Sequence, residues 1–397
     1  MSIVRPPIPF DTPAAVELAA RAHVFARDRI APLPDADTDD DARAQAREIL
    51  GLLGEAKLLE PIRQSDLTSI VILREALAWA SPLADAVYAL QALGSMPLIL
   101  ASEDPLVDDV SREAAQALRD EWLGHTIEGR AMAAFAMTEP EAGSDVGAIA
   151  TTARRDGSDY VLDGRKIFIS NAGIADYYIV FATVDPARGK EALTCFVVYA
   201  GAEGMSFVRP QVMSAPHPLG ELAFEGCRVP IANRLGPEGA GFRLGMGTLD
   251  RLRCTVAGAA CGMAARALHE AIAHAREREQ FGRPLSRFQL VQEKLARMAT
   301  ELDAARLLTY RAALEADRGA VASLALHSSM AKAYATEAAQ RIIDDAVQIL
   351  GGGGVMADHP VDRLYRSIRA LRIYEGTTEI QHLVIARELM HAAGNAR

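Results

Sequence analysis

The sequence predicts an α+β fold in which a helix-rich part, a strand-rich part and a second helix-rich part follow one another along the chain. Apolar residues recur at helical spacing before about residue 130 and again from Glu238 onward. Between these parts lie short β-branched and aromatic runs, separated by Asp-Gly and Asn-Ala-Gly turns. We therefore expect domains over residues 1–131, 132–237 and 238–397.

Local signals support the helical parts. Thr12 and Pro13 are a typical N-cap and first-turn pair, and Pro32 ends the helix that follows them. In the C-terminal part, apolar residues three and four apart lie on one helical face: Val291, Leu295, Met298 and Leu302. The predicted strands cover residues 160–162, 166–169, 177–184, 193–200 and 221–224.

The composition excludes several classes of protein. The 397-residue chain is 50% hydrophobic, which is ample for a large core. Its formal net charge of −10, with no block of basic residues, argues against a nucleic-acid surface. The four cysteines, Cys195, Cys227, Cys254 and Cys261, form no Cys-x-x-Cys pair, so we expect buried thiols and no metal site.

No targeting or membrane segment is predicted. Residues 1–7 lack the apolar run of a signal peptide, and no apolar stretch reaches the ~18 residues of a membrane helix. The expectation is a soluble cytoplasmic protein without membrane insertion.

The stretch from Leu371 to Gln381 places one carboxylate, Glu375, between an apolar run and Gly376. Thr377 is placed to N-cap the apolar-periodic run that begins near Ile380. A carboxylate at such a break is poorly solvated, and it can act as a general base once a substrate excludes water.

Five ordered segments together resemble the acyl-CoA dehydrogenase family of flavoenzymes. They cover residues 135–145, 166–171, 278–283, 348–352 and 374–377, with the sequences FAMTEPEAGSD, KIFISN, REQFGR, QILGG and YEGT. The resemblance extends from about residue 12 to residue 392. It implies an N-terminal α-helical domain, a middle antiparallel β-domain that holds the flavin ring, and a C-terminal four-helix bundle.

The resemblance also implies the chemistry. Glu375 is expected to be the catalytic base that removes the α-proton of an acyl-CoA thioester, while the β-hydrogen passes as hydride to flavin N5. Electrons then pass to an electron-transfer flavoprotein. Some family members carry the base on the helix after the β-domain, but the matching residue here is Leu252, which cannot take a proton.

The cofactor is expected to be FAD. Residues expected at its flavin ring are Phe135, Met137, Thr138, Gly143, Ser144, Phe168, Ile169 and Ser170. Residues expected at the remaining part of the dinucleotide are Arg278, Gln280, Phe281, Gln289, Gln348, Gly351, Gly352, Thr377 and Glu379. In this family the residues at the diphosphate and adenine end serve a neighbouring subunit, which implies a homo-oligomer, usually a tetramer.

Substrate contacts are expected from Ser144, Asp250, Arg253, Glu375 and Gly376. For Asp250 and Arg253, three residues apart on one helical face, a purely structural ion pair is the competing interpretation. The loop before the last strands departs from the family, because it reads MSAPHPLG over residues 213–220. We interpret His217 in this loop as a turn residue, with a polar contact to CoA as the alternative.

Several alternatives stay open at this point. An acyl-CoA oxidase or a dehydrogenase acting on a carrier-protein thioester would share these motifs. A non-enzymatic flavin-binding relative that binds nucleic acid is disfavoured by the acidic charge balance. The last alternative is a helical scaffold, which a colourless protein that cannot be reconstituted with FAD would support. The sequence does not assign the acyl group.

Overall fold

The structure is a computed structural model that describes residues 11–104 and 108–395. Residues 1–7, on which the absence of a signal peptide rests, lie outside the described part. The helices are α1 (Pro13–Phe25), α2 (Asp39–Glu55), α3 (Glu60–Arg63), α4 (Leu67–Ala80), α5 (Pro82–Glu103), α6 (Asp109–Ile127), α7 (Gly241–Glu277), α8 (Gln289–Asp317), α9 (Val321–Leu350), α10 (Pro360–Leu371) and α11 (Thr378–Asn395). The predicted order of helix-rich, strand-rich and helix-rich parts is confirmed.

The chain divides into two compact units. The first unit contains residues 11–34, 66–85 and 250–395; the second contains the described residues of 35–65 and 86–249. The boundaries of the three predicted domains stay a prediction.

The first unit is helical. Within it α9 packs against α8, α10 and α11, and α4 packs against α1 and α8. A short hairpin of β9 (Glu279–Gln280) and β10 (Arg283–Pro284) precedes α8. Thr12 caps α1 as predicted, because its Oγ1 accepts a hydrogen bond of 3.2 Å from Ala15 N. The α-helix ends at Phe25, and a π-helical turn continues it to Ile30.

The second unit is built on a sheet. Its strands are β1 (Ala133–Ala136), β2 (Thr152–Asp156), β3 (Asp159–Ser170), β4 (Tyr177–Thr183), β5 (Leu193–Tyr199), β6 (Met205–Pro210), β7 (Leu219–Pro230) and β8 (Arg234–Leu235). Their order is β6-β7-β3-β2-β4-β5-β8, with β1 paired to β4. Most pairs are antiparallel, as predicted, but β4 pairs in parallel with both β1 and β2.

Side chains alternate across the sheet, and both faces are buried. In β4, Tyr177 and Ile179 belong to one hydrophobic cluster, while Tyr178 and Val180 belong to a second one on the opposite side. Because β4 is covered on both faces, all of its residues are buried, which explains its continuous apolar sequence.

Burial also accounts for the cysteines and for the long apolar helix α5. All four cysteines are free and buried, as predicted. Contrary to the sequence expectation, one described helix, α5, meets the length and composition of a membrane span. Of its most apolar window, 89% is buried inside the protein, which is the environment of a core helix.

Candidate active site

Glu375 lies in the turn between α10 and α11, in the first unit. The turn has an unusual backbone, with φ of 54° at Glu375 and 93° at Gly376. Glycine adopts such angles freely, whereas a glutamate there is strained and persists only where its surroundings hold it. A strained carboxylate-bearing residue of this kind is a common feature of active sites.

Three side chains from other parts of the first unit hold this turn. The carbonyl oxygen of Glu375 accepts from Arg253 Nε at 3.2 Å and from Gln381 Nε2 at 3.3 Å. The carbonyl oxygen of Gly376 accepts from Lys332 Nζ at 2.6 Å and again from Gln381, at 2.9 Å. Thr377 caps α11 as predicted, because its Oγ1 accepts from Ile380 N at 3.3 Å. The backbone around Glu375 is therefore fixed by several donors.

None of the described residues forms a direct ion pair with the carboxyl group of Glu375. Its Oε2 is buried, and no described residue donates a hydrogen bond to it. Burial raises the pKa of Glu375, and the positive charges of Arg74, Lys332 and Arg253 oppose this increase only in part. An unpaired carboxylate with a raised pKa has the properties of a general base.

The three nearby cations are held by other partners. Arg74 is buried and binds Asp85 through two hydrogen bonds, of 2.7 and 2.9 Å. Burial lowers the pKa of Lys332 to about 8, although Glu375 raises it. Arg253 pairs with Asp250 three residues before it. This ion pair is the competing interpretation of the two residues, but its arginine also donates to the Glu375 carbonyl oxygen.

A second group of predicted residues lies in the second unit, on and beside β3. The pairing of β3 with β7 is irregular between Lys166 and Ile169, and Phe168 there has φ of 55°. The irregularity turns Phe168 outward, so that 58% of it is exposed, while its N–H donates to Gln211 Oε1 at 2.6 Å. An exposed aromatic side chain on a strained strand residue suits the wall of a planar ligand.

A buried ion pair fixes the segment that carries Thr138. Lys166 Nζ donates to Glu139 Oε1 at 2.7 Å, to the carbonyl oxygen of Met137 at 3.1 Å and to that of Phe181 at 2.6 Å. The Thr138 carbonyl accepts from Ile167 N at 2.9 Å. Thr138 and β3 are thus rigidly joined, which is what a flavin-binding surface requires.

The other residues predicted at the ring differ in exposure. Met137 and Ile169 point into the core, so any contact to a ligand must come from their backbone. Phe135 is partly exposed and packs on Phe181, with ring centroids 5.0 Å apart. Gly143 and Ser144 are exposed, and a Cβ on Gly143 would meet no atom within 4 Å. Open space at an exposed glycine leaves room for close approach of a ligand.

The residues predicted for the rest of the dinucleotide lie in the first unit. Nearly all are exposed: Arg278, Gln280, Phe281, Gln289, Gln348, Gly351, Gly352 and Glu379, with Thr377 partly exposed. Phe281 is 93% exposed with φ of 51°, and Gly351 and Gly352 have open space where a Cβ would lie. An exposed aromatic side chain and open backbone at the two glycines leave room for an extended ligand to approach these residues.

Four residues that hold these sites together were not predicted as site residues from the sequence: Lys332, Gln381, Lys166 and Glu139. A signal for Lys332 was present, because Ser328, Lys332 and Thr336 share the buried face of α9. A lysine on a buried helical face needs a partner and marks a candidate functional position. Among the described residues, no group of three or more His, Cys, Asp or Glu could hold a metal ion.

Comparison with known proteins places these two sites in one family. The acyl-CoA dehydrogenase middle-domain model matches residues 134–227, and the C-terminal-domain model matches residues 239–390. A 3-(aryl)acrylate reductase of Clostridium sporogenes is 44% identical over 274 residues, which are 68% of this chain and 72% of that protein. A probable acyl-CoA dehydrogenase of Mycobacterium leprae is 36% identical over 382 residues, 94% of this chain and 95% of that protein.

The fold agrees with the sequence comparison. The solved structure of butyryl-CoA dehydrogenase from Megasphaera elsdenii has a TM-score of 0.86 and 30% identity, covering 96% of this chain and 100% of that one. The chain belongs to the acyl-CoA dehydrogenase family. It is an oxidoreductase.

Proposed function

We propose that this protein is an FAD-dependent acyl-CoA dehydrogenase that forms a trans-2-enoyl-CoA, with Glu375 as the catalytic base. The observation that supports this most strongly is the buried, unpaired Oε2 of Glu375 in a turn fixed by Arg253, Lys332 and Gln381. The carboxylate would take the α-proton of the thioester. Its raised pKa brings its basicity closer to what this weakly acidic proton requires.

The backbone of the same turn supplies a second function. The N–H of Glu375 donates to none of the described residues, so it can donate to the thioester oxygen on which charge develops. Asp250 and Arg253 would border the thioester site, and Gly376 would allow the substrate to approach the chain closely. The proposed substrate contacts therefore include both side chains and backbone of the first unit.

The cofactor is proposed to be FAD. When bound, FAD would accept the β-hydrogen with its electron pair and would pass the electrons to an electron-transfer flavoprotein. Thr138 would place its hydroxyl group near the pyrimidine edge of the ring, Ser170 would donate to N5, and Phe168 would lie against the ring. Arg278, Gln280, Phe281, Gln289, Gln348, Gly351 and Gly352 would bind the dinucleotide of a neighbouring subunit, in a homotetramer.

The test is single-turnover flavin bleaching by Glu375→Gln, followed by stopped flow. Glutamine keeps the size and the backbone N–H but removes the base, so bleaching should slow by ~10²–10⁴ while FAD and acyl-CoA binding persist. Glu301→Gln is the matched control, because Glu301 binds Arg341 on the helical surface. Bleaching by Glu375→Gln at the wild-type rate would mean that the base lies elsewhere.

The bleaching assay should include a broad set of substrates, because the acyl group is not assigned. Acyl-CoA thioesters of graded length and branching, together with arylpropanoyl thioesters, cover the substrates suggested by the relatives. Rapid reoxidation of the bleached flavin by air, with peroxide release, would indicate an oxidase instead of a dehydrogenase.

A further inference from the structure

His217 contacts the one residue of β3 that is proposed to reach flavin N5. Its Nε2 lies 2.7 Å from Ser170 Oγ, which is a hydrogen-bond distance. Ser170 ends β3, and His217 lies in residues 211–218, the loop between β6 and β7. His217 therefore lies in a loop, and its ring has a specific polar partner that a simple turn residue would not have.

The backbone holds this contact in place. Ser170 pairs with Leu219 at the start of β7, and Asn171 N donates to the Pro218 carbonyl at 2.6 Å. Pro216 and Pro218 flank His217 and restrict the φ angles on both sides of it. The backbone on both sides of His217 is therefore restricted beside Ser170.

Two charged residues of α2 act on the ring, Asp39 and Arg43. Arg43 binds Asp39 at 2.5 Å and also donates to the Leu219 carbonyl at 2.7 Å. Burial is the main cause that lowers the pKa of His217 to about 4; the charge of Asp39 opposes this shift and that of Arg43 adds to it. The imidazole is therefore neutral at physiological pH, with one N–H donor and one acceptor nitrogen.

The direction of the Ser170–His217 hydrogen bond decides what Ser170 can do. If Nε2 accepts, the serine proton is consumed in that bond and cannot reach a ligand. If Nε2–H donates, the serine hydroxyl remains a donor and is polarised by the histidine. Only the second arrangement is compatible with a serine that donates to the flavin.

We propose that His217 is a positioning residue that donates from Nε2–H to Ser170 Oγ and thereby directs the Ser170 hydroxyl to flavin N5. This proposal rests on the proposed function, which places Ser170 at N5. His217 itself would touch neither substrate nor flavin. Its influence on the flavin should pass entirely through Ser170.

The test compares His217→Gln with His217→Asn in the FAD-loaded protein. The glutamine amide nitrogen can reach the position of Nε2 and donate to Ser170, whereas the shorter asparagine amide cannot. We expect His217→Asn to change the equilibrium constant for two-electron reduction of the flavin about tenfold. This change corresponds to a shift of roughly 30 mV in the midpoint potential. His217→Gln should retain most of the wild-type potential. His125→Asn, at an exposed histidine of α6, is the matched control and should have no effect.

The decisive measurement repeats both variants in a Ser170→Ala background. Ser170→Ala alone should shift the potential in the same direction, and adding His217→Asn should change it no further. A further shift in that background would show that His217 acts independently of Ser170, which would overturn the proposal. So would a wild-type potential in His217→Asn while Ser170→Ala is shifted.

The proposed function fails in a different way. If Ser170→Ala keeps the wild-type potential and flavin spectrum, Ser170 does not contact N5, and the role of His217 falls with that assignment. If Ser170→Ala shifts the potential but neither histidine variant does, only the positioning role is lost and the flavin assignment stands.

Discussion

Lys332 donates a hydrogen bond of 2.6 Å from a fully buried Nζ to the carbonyl oxygen of Gly376, the residue that follows Glu375. The lysine therefore both fixes the turn and places a positive charge near the proposed base. Because that charge lowers the pKa of Glu375, the lysine and the burial of the carboxylate act in opposite directions.

Replacing Lys332 with methionine should move the pH profile of flavin reduction. Loss of the cation raises the pKa of Glu375 further, so the acid limb should shift to higher pH. The difference from wild type should fade above about pH 8, where the wild-type lysine also loses its proton. Single-turnover bleaching across this pH range measures both effects.

Lys294→Met is the control for this prediction. Lys294 pairs with Asp345 between α8 and α9, and it does not contribute to the pKa shift of Glu375. An equal shift of the acid limb in Lys294→Met would show that the effect is not specific to the charge beside Glu375.

The buried pair of Lys166 and Glu139 should be essential for the stability of the second unit. Lys166→Met leaves the Glu139 carboxylate buried without its cation, which should cost ~3–5 kcal/mol of unfolding free energy. Lys166→Met combined with Glu139→Gln should cost less than the two single changes added together. Denaturant unfolding measures these values. Arg228→Met, which removes an exposed pair with Asp156, should change stability by no more than ~1 kcal/mol.

His23 should make the protein less stable in mild acid. Burial lowers its pKa to about 4, and its ring packs on Trp79 with centroids 5.0 Å apart. Between its ordinary pKa of 6.5 and 4, the unfolded chain binds the proton and the folded protein does not. The contribution of His23 to the unfolding free energy should therefore be constant above pH 6.5. Below pH 6.5 it should fall by up to ~1.4 kcal/mol per pH unit, down to about pH 4.

The check on His23 is a difference measurement. The unfolding free energy of wild type minus that of His23→Gln, followed against pH, isolates this one histidine from the carboxylates. A difference that stays constant from pH 6.5 down to 4 would contradict the assignment.

Arg278→Ala should weaken FAD retention and oligomer stability together. A ligand that bridges two subunits stabilises the assembled state, so losing a diphosphate contact weakens both. Bound flavin per chain and size-exclusion mass measure the two effects. Arg276→Ala is the matched control, since Arg276 is exposed two residues earlier. A stable monomer that keeps one FAD per chain would defeat this prediction.

Part of the fold and of the candidate site could be predicted from the sequence because the signals are local. Thr12 and Thr377 cap their helices through backbone groups only three residues away. Strands β3, β4, β5 and β7 were recognised because β-branched and aromatic runs alternate with glycine turns, whereas β1, β2, β6 and β8 were not predicted. Glu375 was singled out because a carboxylate stands at a glycine break, and the resemblance of five ordered segments to the family implied its role as the base.

The sequence by itself determined the order of helices and strands, the family motifs and the identity of the proposed base. Only the tertiary structure decided how that base is held. Arg253 and Lys332 reach the turn from 122 and 44 residues away in sequence. The hydrogen bond of His217 to Ser170 spans 47 residues. Such contacts depend on which helix face or strand edge meets which, and a one-dimensional pattern carries no information on that pairing until the chain is folded.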